Sequence, residues 1–104
     1  MTILLKGRID VVSDGNLVKL NRTGNPGMTV GGTGDVLTGI VGGLLARKAP
    51  PFNAARLAAM TSGYSGDLAF AEMGYSLGPL DVAGKITETL KKFVEWWTQR
   101  PEVQ

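Results

Sequence analysis

The sequence predicts an α/β protein in which short strands and a hairpin come first and about three helices follow. Three observations indicate this class. Residues 3–5 form a short apolar run, which is typical of a buried strand. Residues 9–20 contain two apolar segments separated by Ser-Asp-Gly-Asn, a sequence that favours a tight hairpin turn. Beyond residue 35, three successive segments have the composition and spacing of helices.

Composition limits the possible classes of protein. The 104 residues suffice for one domain without a second, and 43% of them are hydrophobic, as in globular proteins. We expect no membrane span and no signal peptide. The absence of cysteine excludes disulfides and fits a cytoplasmic protein, while the absence of histidine excludes a His-ligated metal. With a net charge of +2 and scattered basic residues, we expect no nucleic-acid partner.

The first strand, residues 3–5, is expected to be buried and parallel to its neighbour, and it ends at Lys6 and Gly7. Open α/β sheets place ligand contacts at this end of a parallel strand, although an exposed lysine at a strand end is the simpler interpretation. The predicted hairpin of residues 9–20 then leads the chain to a loop beginning at residue 21.

The first helix is predicted to begin at Val36, from which apolar residues mark one helical face. Gly39, Gly42 and Gly43 lie within it, and each lowers helix stability by about 1 kcal/mol relative to alanine. We therefore expect a close neighbour on this helix, either another backbone or a ligand. The prolines at positions 50 and 51 should end it.

A second helix over residues 54–73, with Asn53 as its N-cap, is rich in small residues. Such a helix is normally buried between neighbours, and Gly74 is suited to end it. Asp67 lies within it. This carboxylate either contacts the glycine-rich loop or caps and pairs locally, and a structural role is favoured over a catalytic one.

The last helix is predicted to start at Asp81 as N-cap and to bury one apolar face. That face comprises Val82, Ile86, Leu90, Phe93, Val94 and Trp97. Trp96 lies off it and meets either solvent or a second subunit, and residues 100–104 should fray.

Residues 21–34 form a glycine-rich loop that runs into a helix start, an arrangement typical of an anion site. Glycine lets the backbone approach a ligand closely, and the first N–H groups of a helix have no partner within it. Asp35 lies at that turn, as a plain cap or as a catalytic carboxylate. The loop is neither a Walker A motif nor a GxGxxG fingerprint.

Two segments of this loop and helix start carry a family resemblance: residues 25–28, Asn-Pro-Gly-Met, and residues 31–39, Gly-Gly-Thr-Gly-Asp-Val-Leu-Thr-Gly. Together they closely resemble the signature of the ADP- or ATP-dependent NAD(P)H-hydrate dehydratases, members of the ribokinase-like superfamily. Lys6-Gly7 and residues 63–67 also fit that family. The resemblance covers about residues 3–90 and matches only the C-terminal portion of the family's domain. It implies part of a three-layer α/β/α fold whose other strands precede Met1.

The resemblance implies an activity: hydrated NADH or NADPH is phosphorylated on its hydroxyl with ADP or ATP, and phosphate is then eliminated. Asp35 matches the catalytic base. The N–H groups of Gly32, Thr33 and Gly34 would hold the transferred phosphoryl group, to which the Thr33 hydroxyl could also donate. The implied nucleotide-site residues are Lys6, Gly7, Arg8, Ile9, Asp10, Asn25, Gly31, Gly32, Thr33 and Gly34. Mg²⁺ is expected with the nucleotide, although no acidic cluster in the sequence forms a convincing ligand set.

Two alternatives remain open. A ribokinase-like kinase acting on a sugar, a hydroxymethylpyrimidine or a thiazole alcohol would use the same Asp35 and anion site. A truncated, non-catalytic fragment would keep only the fold and its oligomer contacts. With few strands to cover the small-residue helix, we expect an apolar patch there, so the chain should self-associate or belong to a longer polypeptide, and should not be a competent enzyme alone.

Overall fold

The computed structural model describes residues 1–29 and 31–98, with the side chains of residues 96–98 left out. In these ranges three strands are followed by four helices. The strands are β1 (Ile3–Leu5), β2 (Asp10–Ser13) and β3 (Val18–Asn21). The helices are α1 (Thr33–Ala46), α2 (Pro51–Met73), α3 (Pro79–Gly84) and α4 (Ile86–Thr98), with short 3₁₀ turns at Pro26–Met28 and Gly74–Ser76. The expectations for Trp96, for Trp97 and for residues 100–104 lie outside the described part.

The three strands form one antiparallel sheet in the order β1-β2-β3, in which Leu4 lies opposite Val12 and Val12 opposite Lys19. The expectation of a buried, parallel first strand is wrong. Only a short turn joins β1 to β2, whereas a parallel pair needs a crossover of about a dozen residues or more. Ile3 and Leu5 of β1 are 56% and 63% exposed, because no described element covers the face on which they lie.

The predicted hairpin is confirmed as β2 and β3, and its turn is held by a side chain. The Asp14 carboxylate accepts the N–H groups of Leu17 at 2.7 Å and Asn16 at 2.9 Å, and these hydrogen bonds hold the pKa of Asp14 below its usual value. Gly15 has a φ of 97°, which a residue with a Cβ rarely adopts. The Asp-Gly sequence therefore fixes the turn locally, as the pattern indicates.

Helix α1 begins at Thr33, three residues earlier than predicted, because Gly32 takes a left-handed φ of 100° and ends the loop there. The expected close neighbour at its inner glycines is absent from the described part of the chain. Apart from the adjacent residues and the nearby backbone of α1 itself, a Cβ at Gly39, Gly42 or Gly43 would meet no atom of that part within 4 Å. One face of α1 is thus open in the described residues.

Helix α2 begins at Pro51 rather than after an Asn53 cap, since proline suits the first helical position, where no N–H donor is needed. Its small residues are buried along much of its length: one side packs on the sheet through Val12, Phe52 and Ala55. Another side joins Ala69 to Leu77 and Val82 in a second cluster. As predicted, α2 is surrounded by neighbours, and Gly74 ends it.

The predicted last helix is two helices, α3 and α4. Asp81 lies in the first turn of α3, where its carboxylate accepts the N–H of Gly78, the actual N-cap, at 2.7 Å. The expected buried face is only partly correct, because Leu90 and Val94 are 42% and 62% exposed. Helix α4 instead contacts α2 through the fully buried Thr89, whose hydroxyl lies 2.8 Å from that of Ser65.

A cluster of exposed apolar side chains lies on the sheet, whereas the sequence suggested an apolar patch on α2, where Met60 and Met73 are 40% and 42% exposed. Besides β1, the outer face carries Val18 and Leu20, which are 60% and 54% exposed. The described helices pack on the opposite face of the sheet, so this face has no cover from the described residues. None of the described helices combines the length and apolar character needed to cross a membrane.

Candidate functional site

A cavity of about 680 Å³ lies where the turn after β1, the glycine-rich loop, the first turn of α1 and the middle of α2 meet. Cavities of this size commonly hold small organic ligands. Of the residues that the family resemblance assigns to the nucleotide, Lys6, Gly7, Arg8, Asp10, Asn25, Thr33 and Gly34 line it. Two segments that lie apart in the sequence therefore meet at one cavity.

The remaining implied residues lie beside the cavity rather than on its wall. Ile9 is 41% exposed, and Gly31 and Gly32 precede α1. Asp35 is exposed on the first turn of α1, directly after Gly34, which lines the cavity. A carboxylate in the first turn of a helix is stabilised by the positive end of the helix dipole. Asp35 is thus accessible to solvent and adjoins a residue of the cavity wall without lining the cavity itself.

Asp10, at the start of β2, is only 3% exposed, and both of its carboxylate oxygens are engaged. One oxygen accepts the N–H of Gly7 at 3.2 Å. The other accepts the ammonium group of Lys6 at 3.2 Å and the side-chain amide of Asn21 at 2.9 Å. Since a buried carboxylate needs hydrogen-bond partners to offset its burial, these three donors account for Asp10 at this position.

Asn21 extends these contacts from the turn after β1 to the glycine-rich loop. Its amide nitrogen also donates to the carbonyl oxygen of Ala59 on α2 at 3.2 Å, and its amide oxygen accepts the hydroxyl of Thr23 at 2.9 Å. The sheet, helix α2 and the start of the loop are therefore joined through one side chain, which the sequence analysis did not identify.

The glycine-rich loop lies directly on α2, at positions where the helix has no side chain. A Cβ at Gly63 would lie 2.7 Å from the carbonyl carbon of Thr23, and one at Gly66 would lie 2.6 Å from the terminal methyl carbon of Met28. Both distances are shorter than real Cβ contacts allow. The two glycines of α2 thus create the space that the loop occupies.

Asp67, one residue beyond Gly66, holds the same loop by hydrogen bonds. Its carboxylate accepts the N–H of Gly24 at 3.1 Å and the side-chain amide of Asn25 at 2.8 Å. Of the roles left open by the sequence, contact with the glycine-rich loop is the one observed. The amide oxygen of Asn25 is buried and has no hydrogen-bond partner among the described residues.

At the first turn of α1, several groups are already hydrogen-bonded. The N–H of Asp35 donates to the carbonyl oxygen of Gly32 at 3.1 Å. The hydroxyl of Thr33 donates to the carbonyl oxygen of Met28 at 2.8 Å. A hydroxyl has one proton to donate, so that of Thr33 is committed to the loop in this conformation.

Several known proteins similar to this chain share one function. The model of a family described as NAD(P)H-hydrate dehydratase matches residues 1–88. The chain is 50% identical over its whole length to a bifunctional NAD(P)H-hydrate repair enzyme of Hyperthermus butylicus, of which it covers 19%. It is 46% identical over 93 residues, 89% of this chain, to the ADP-dependent (S)-NAD(P)H-hydrate dehydratase of Cenarchaeum symbiosum, of which it covers 32%. The chain thus spans between a fifth and a third of the length of these relatives.

Proposed function

Because the chain belongs to the NAD(P)H-hydrate dehydratase family, we propose that its cavity binds the nucleotide in an ADP- or ATP-dependent dehydration of hydrated NADH or NADPH. This family has a ribokinase-like fold, and the chain forms an α/β portion of it, which we assign to the C-terminal portion of a single domain. One observation supports the proposal most: residues 6–10 and 25–34, both implied to contact nucleotide, contribute walls to the same cavity.

The proposed reaction has two steps. The hydroxyl oxygen of the hydrate attacks the terminal phosphorus of the nucleotide, so that one O–P bond forms and the phosphoanhydride O–P bond breaks. The carboxylate of Asp35 takes the hydroxyl proton as general base. Phosphate then leaves as its C–O bond to the ring breaks, and the adjacent ring carbon loses a proton, which restores the double bond of the reduced nicotinamide.

Positive groups of the chain would hold the phosphates during transfer. The Lys6 ammonium and the backbone N–H groups of Gly32, Thr33 and Gly34 carry the charge opposite to that of the transferred group. Asn25, which lines the cavity and is held by Asp67, would contact the nucleotide. These residues approach the cavity from both of its walls, as a bound nucleotide requires.

Mg²⁺ does not fit a site made by the described residues alone. They contain no group of three or more acidic, histidine or cysteine side chains that could hold a metal ion. We therefore derive no step from a metal held by this chain. A nucleotide brings phosphate oxygens of its own, and these are the ligands that Mg²⁺ favours.

The setting of the protein is also part of the proposal. A chain without cysteine suits the cytoplasm, where nicotinamide nucleotides are used, and we propose that location. We propose small-molecule nucleotides as its partners, with no nucleic acid and no membrane. The exposed outer face of the sheet supports either a homo-oligomer or a longer polypeptide that covers it.

A chimera tests the proposed function. Residues 1–104 replace the matching segment of the Hyperthermus butylicus relative, to which they are 50% identical over their full length. The chimera should convert hydrated NADH to NADH in the presence of ADP or ATP, as seen in the return of reduced-nicotinamide absorbance. A folded chimera that lacks this activity but phosphorylates a sugar or hydroxymethylpyrimidine would contradict the proposal.

A further inference from the structure

We propose that Asp10 is a positioning residue that acts through Lys6 and Asn21, and not a direct ligand of the nucleotide. This inference rests on the proposed function, because it concerns how the same cavity receives an anionic phosphate group. The buried carboxylate at the start of β2 positions hydrogen-bond donors on both walls of the cavity.

The chemistry of Asp10 argues against direct contact with phosphate. An ionised carboxylate offers only acceptors, so it cannot donate a hydrogen bond to a phosphate oxygen, and it repels the charge of that group. Its side chain is 4% exposed, and both oxygens already accept hydrogen bonds. Whatever Asp10 contributes to anion binding must therefore pass through its donors.

Lys6 is the first of these donors. Its side chain is 54% exposed, and among the described residues Asp10 is its ion-pair partner, at 3.2 Å. A lysine side chain has many rotamers when free, and ordering them opposes ligand binding. The contact with Asp10 holds the ammonium group at the cavity before a ligand arrives. The Gly7 N–H, which donates to the same carboxylate, fixes the backbone of this turn.

Asn21 is the second donor, and it links Asp10 to the other wall. It joins the carboxylate to the carbonyl oxygen of Ala59 on α2 and to the hydroxyl of Thr23, where the glycine-rich loop begins. The N–H of Gly24, the next residue, then donates to Asp67. The turn after β1 and the loop that leads to α1 are thus kept in one relative position.

Because the cavity carries charged residues, a positioning role for Asp10 and a purely electrostatic role predict opposite changes in anion affinity when its carboxylate is removed. Of the residues that line the cavity, Lys6, Arg8 and Asp10 are charged, which gives a net charge of one positive unit. If charge alone decided affinity, removing the Asp10 carboxylate would strengthen the binding of an anion. If Asp10 positions Lys6 and the loop, removing it weakens binding.

The experiment compares Asp10→Asn with Asp14→Asn, using ADP as the probe and NMR titration of the 104-residue chain. Asp14 is a matched control, because its carboxylate also holds a turn through backbone N–H groups but does not line the cavity. We expect D10N to bind ADP about tenfold more weakly and D14N to bind it as the wild type does. Equal or tighter binding by D10N would overturn the inference.

A double-mutant cycle separates positioning from general damage to the fold. Lys6→Gln should also weaken ADP binding, and the double variant should lose less affinity than the sum of the two single losses, because part of the effect of Asp10 passes through Lys6. Additive losses would overturn the role through Lys6. Failure of the wild-type chain to bind ADP would instead overturn the proposed function, and this inference with it.

If D10N does not fold, a measurement on the wild type alone can test the positioning role of Asp10. ADP should shift the resonances of the Lys6 side chain, while the Gly7 amide keeps its protection from hydrogen exchange, since it remains bonded to Asp10. Loss of that protection on ADP binding, with the Gly7 amide shifted as a ligand contact, would overturn the inference.

Discussion

Gly63 of α2 lies against the backbone of Thr23, so close that a Cβ at position 63 would be 2.7 Å from the carbonyl carbon of Thr23. The glycine-rich loop therefore depends on a helix residue about forty positions away, and its conformation is set by packing as much as by its own glycines. This contact and the hydrogen bonds of Asp67 together determine where the loop meets the cavity.

The first prediction concerns that contact. Gly63→Ala should destabilise the protein by about 2 kcal/mol or more, because the added methyl group displaces the backbone of the loop. Gly42→Ala is the matched control, since a Cβ there meets nothing within 4 Å among the described residues. This change should stabilise the protein by about 1 kcal/mol through helix propensity. Thermal unfolding measures both, and a G63A variant as stable as G42A would contradict the described packing.

The second prediction concerns Asp67. Asp67→Asn places an amide against the donors of Gly24 and Asn25, so one hydrogen bond is lost and stability should fall by about 1–3 kcal/mol. Glu72→Gln on the same helix is the control. Glu72 pairs with Lys85 at 2.7 Å on the surface, and its loss should change stability by about 0.5 kcal/mol or less. Chemical denaturation measures the difference, and equal effects would rule out the role of Asp67 in holding the loop.

The third prediction tests Asp35 as the general base, in the chimera with the Hyperthermus butylicus relative. Asp35→Asn should lower turnover by about two orders of magnitude or more while nucleotide affinity stays within a few fold, since asparagine keeps the helix geometry. Asp81→Asn is the control, because Asp81 occupies the same third helical position in α3. It should leave turnover unchanged. Unchanged turnover in D35N would remove Asp35 from the mechanism.

The fourth prediction concerns the outer face of the sheet. The isolated chain should self-associate, because Ile3, Leu5, Val18 and Leu20 expose more than half of their surface on one face. Leu20→Glu should reduce the association, whereas Leu80→Glu on α3 should not, although Leu80 is 85% exposed. Light scattering measures the mass, and a dehydratase assay runs alongside. A monomeric wild-type chain with full activity would contradict the prediction.

Local sequence signals were sufficient for part of the fold. The Asp-Gly turn specifies the hairpin through contacts two and three residues apart, and the small residues of α2 indicate its burial. The direction of β1 was mispredicted, because an apolar run does not reveal which strand pairs with it. The start of α1 depends on the left-handed conformation of Gly32, which the composition of a glycine-rich loop does not locate.

The candidate site likewise has features that local sequence indicates and features that depend on contacts between distant residues. Its glycine-rich loop was visible in the sequence, and Asp35 was identified at the helix start. The role of Asn21 was not, because its hydrogen bonds reach residues 11 and 38 positions away. Asp10 was assigned to the nucleotide by resemblance, and the sequence does not reveal the burial and hydrogen bonds from which we propose a positioning role. The spacing of Gly63, Gly66 and Asp67 along one helical face was the signal that could have located the loop contact.

A crystal structure of the chain soaked with ADP tests the central claim, that the cavity between the turn after β1 and the glycine-rich loop is the nucleotide site. We expect the terminal phosphate against the N–H groups of Gly32, Thr33 and Gly34, with the Lys6 ammonium in contact with a phosphate oxygen. ADP bound elsewhere would contradict it. The groove of about 320 Å³ lined by Lys19, Asn21 and Arg56 is the competing position that such a structure would reveal.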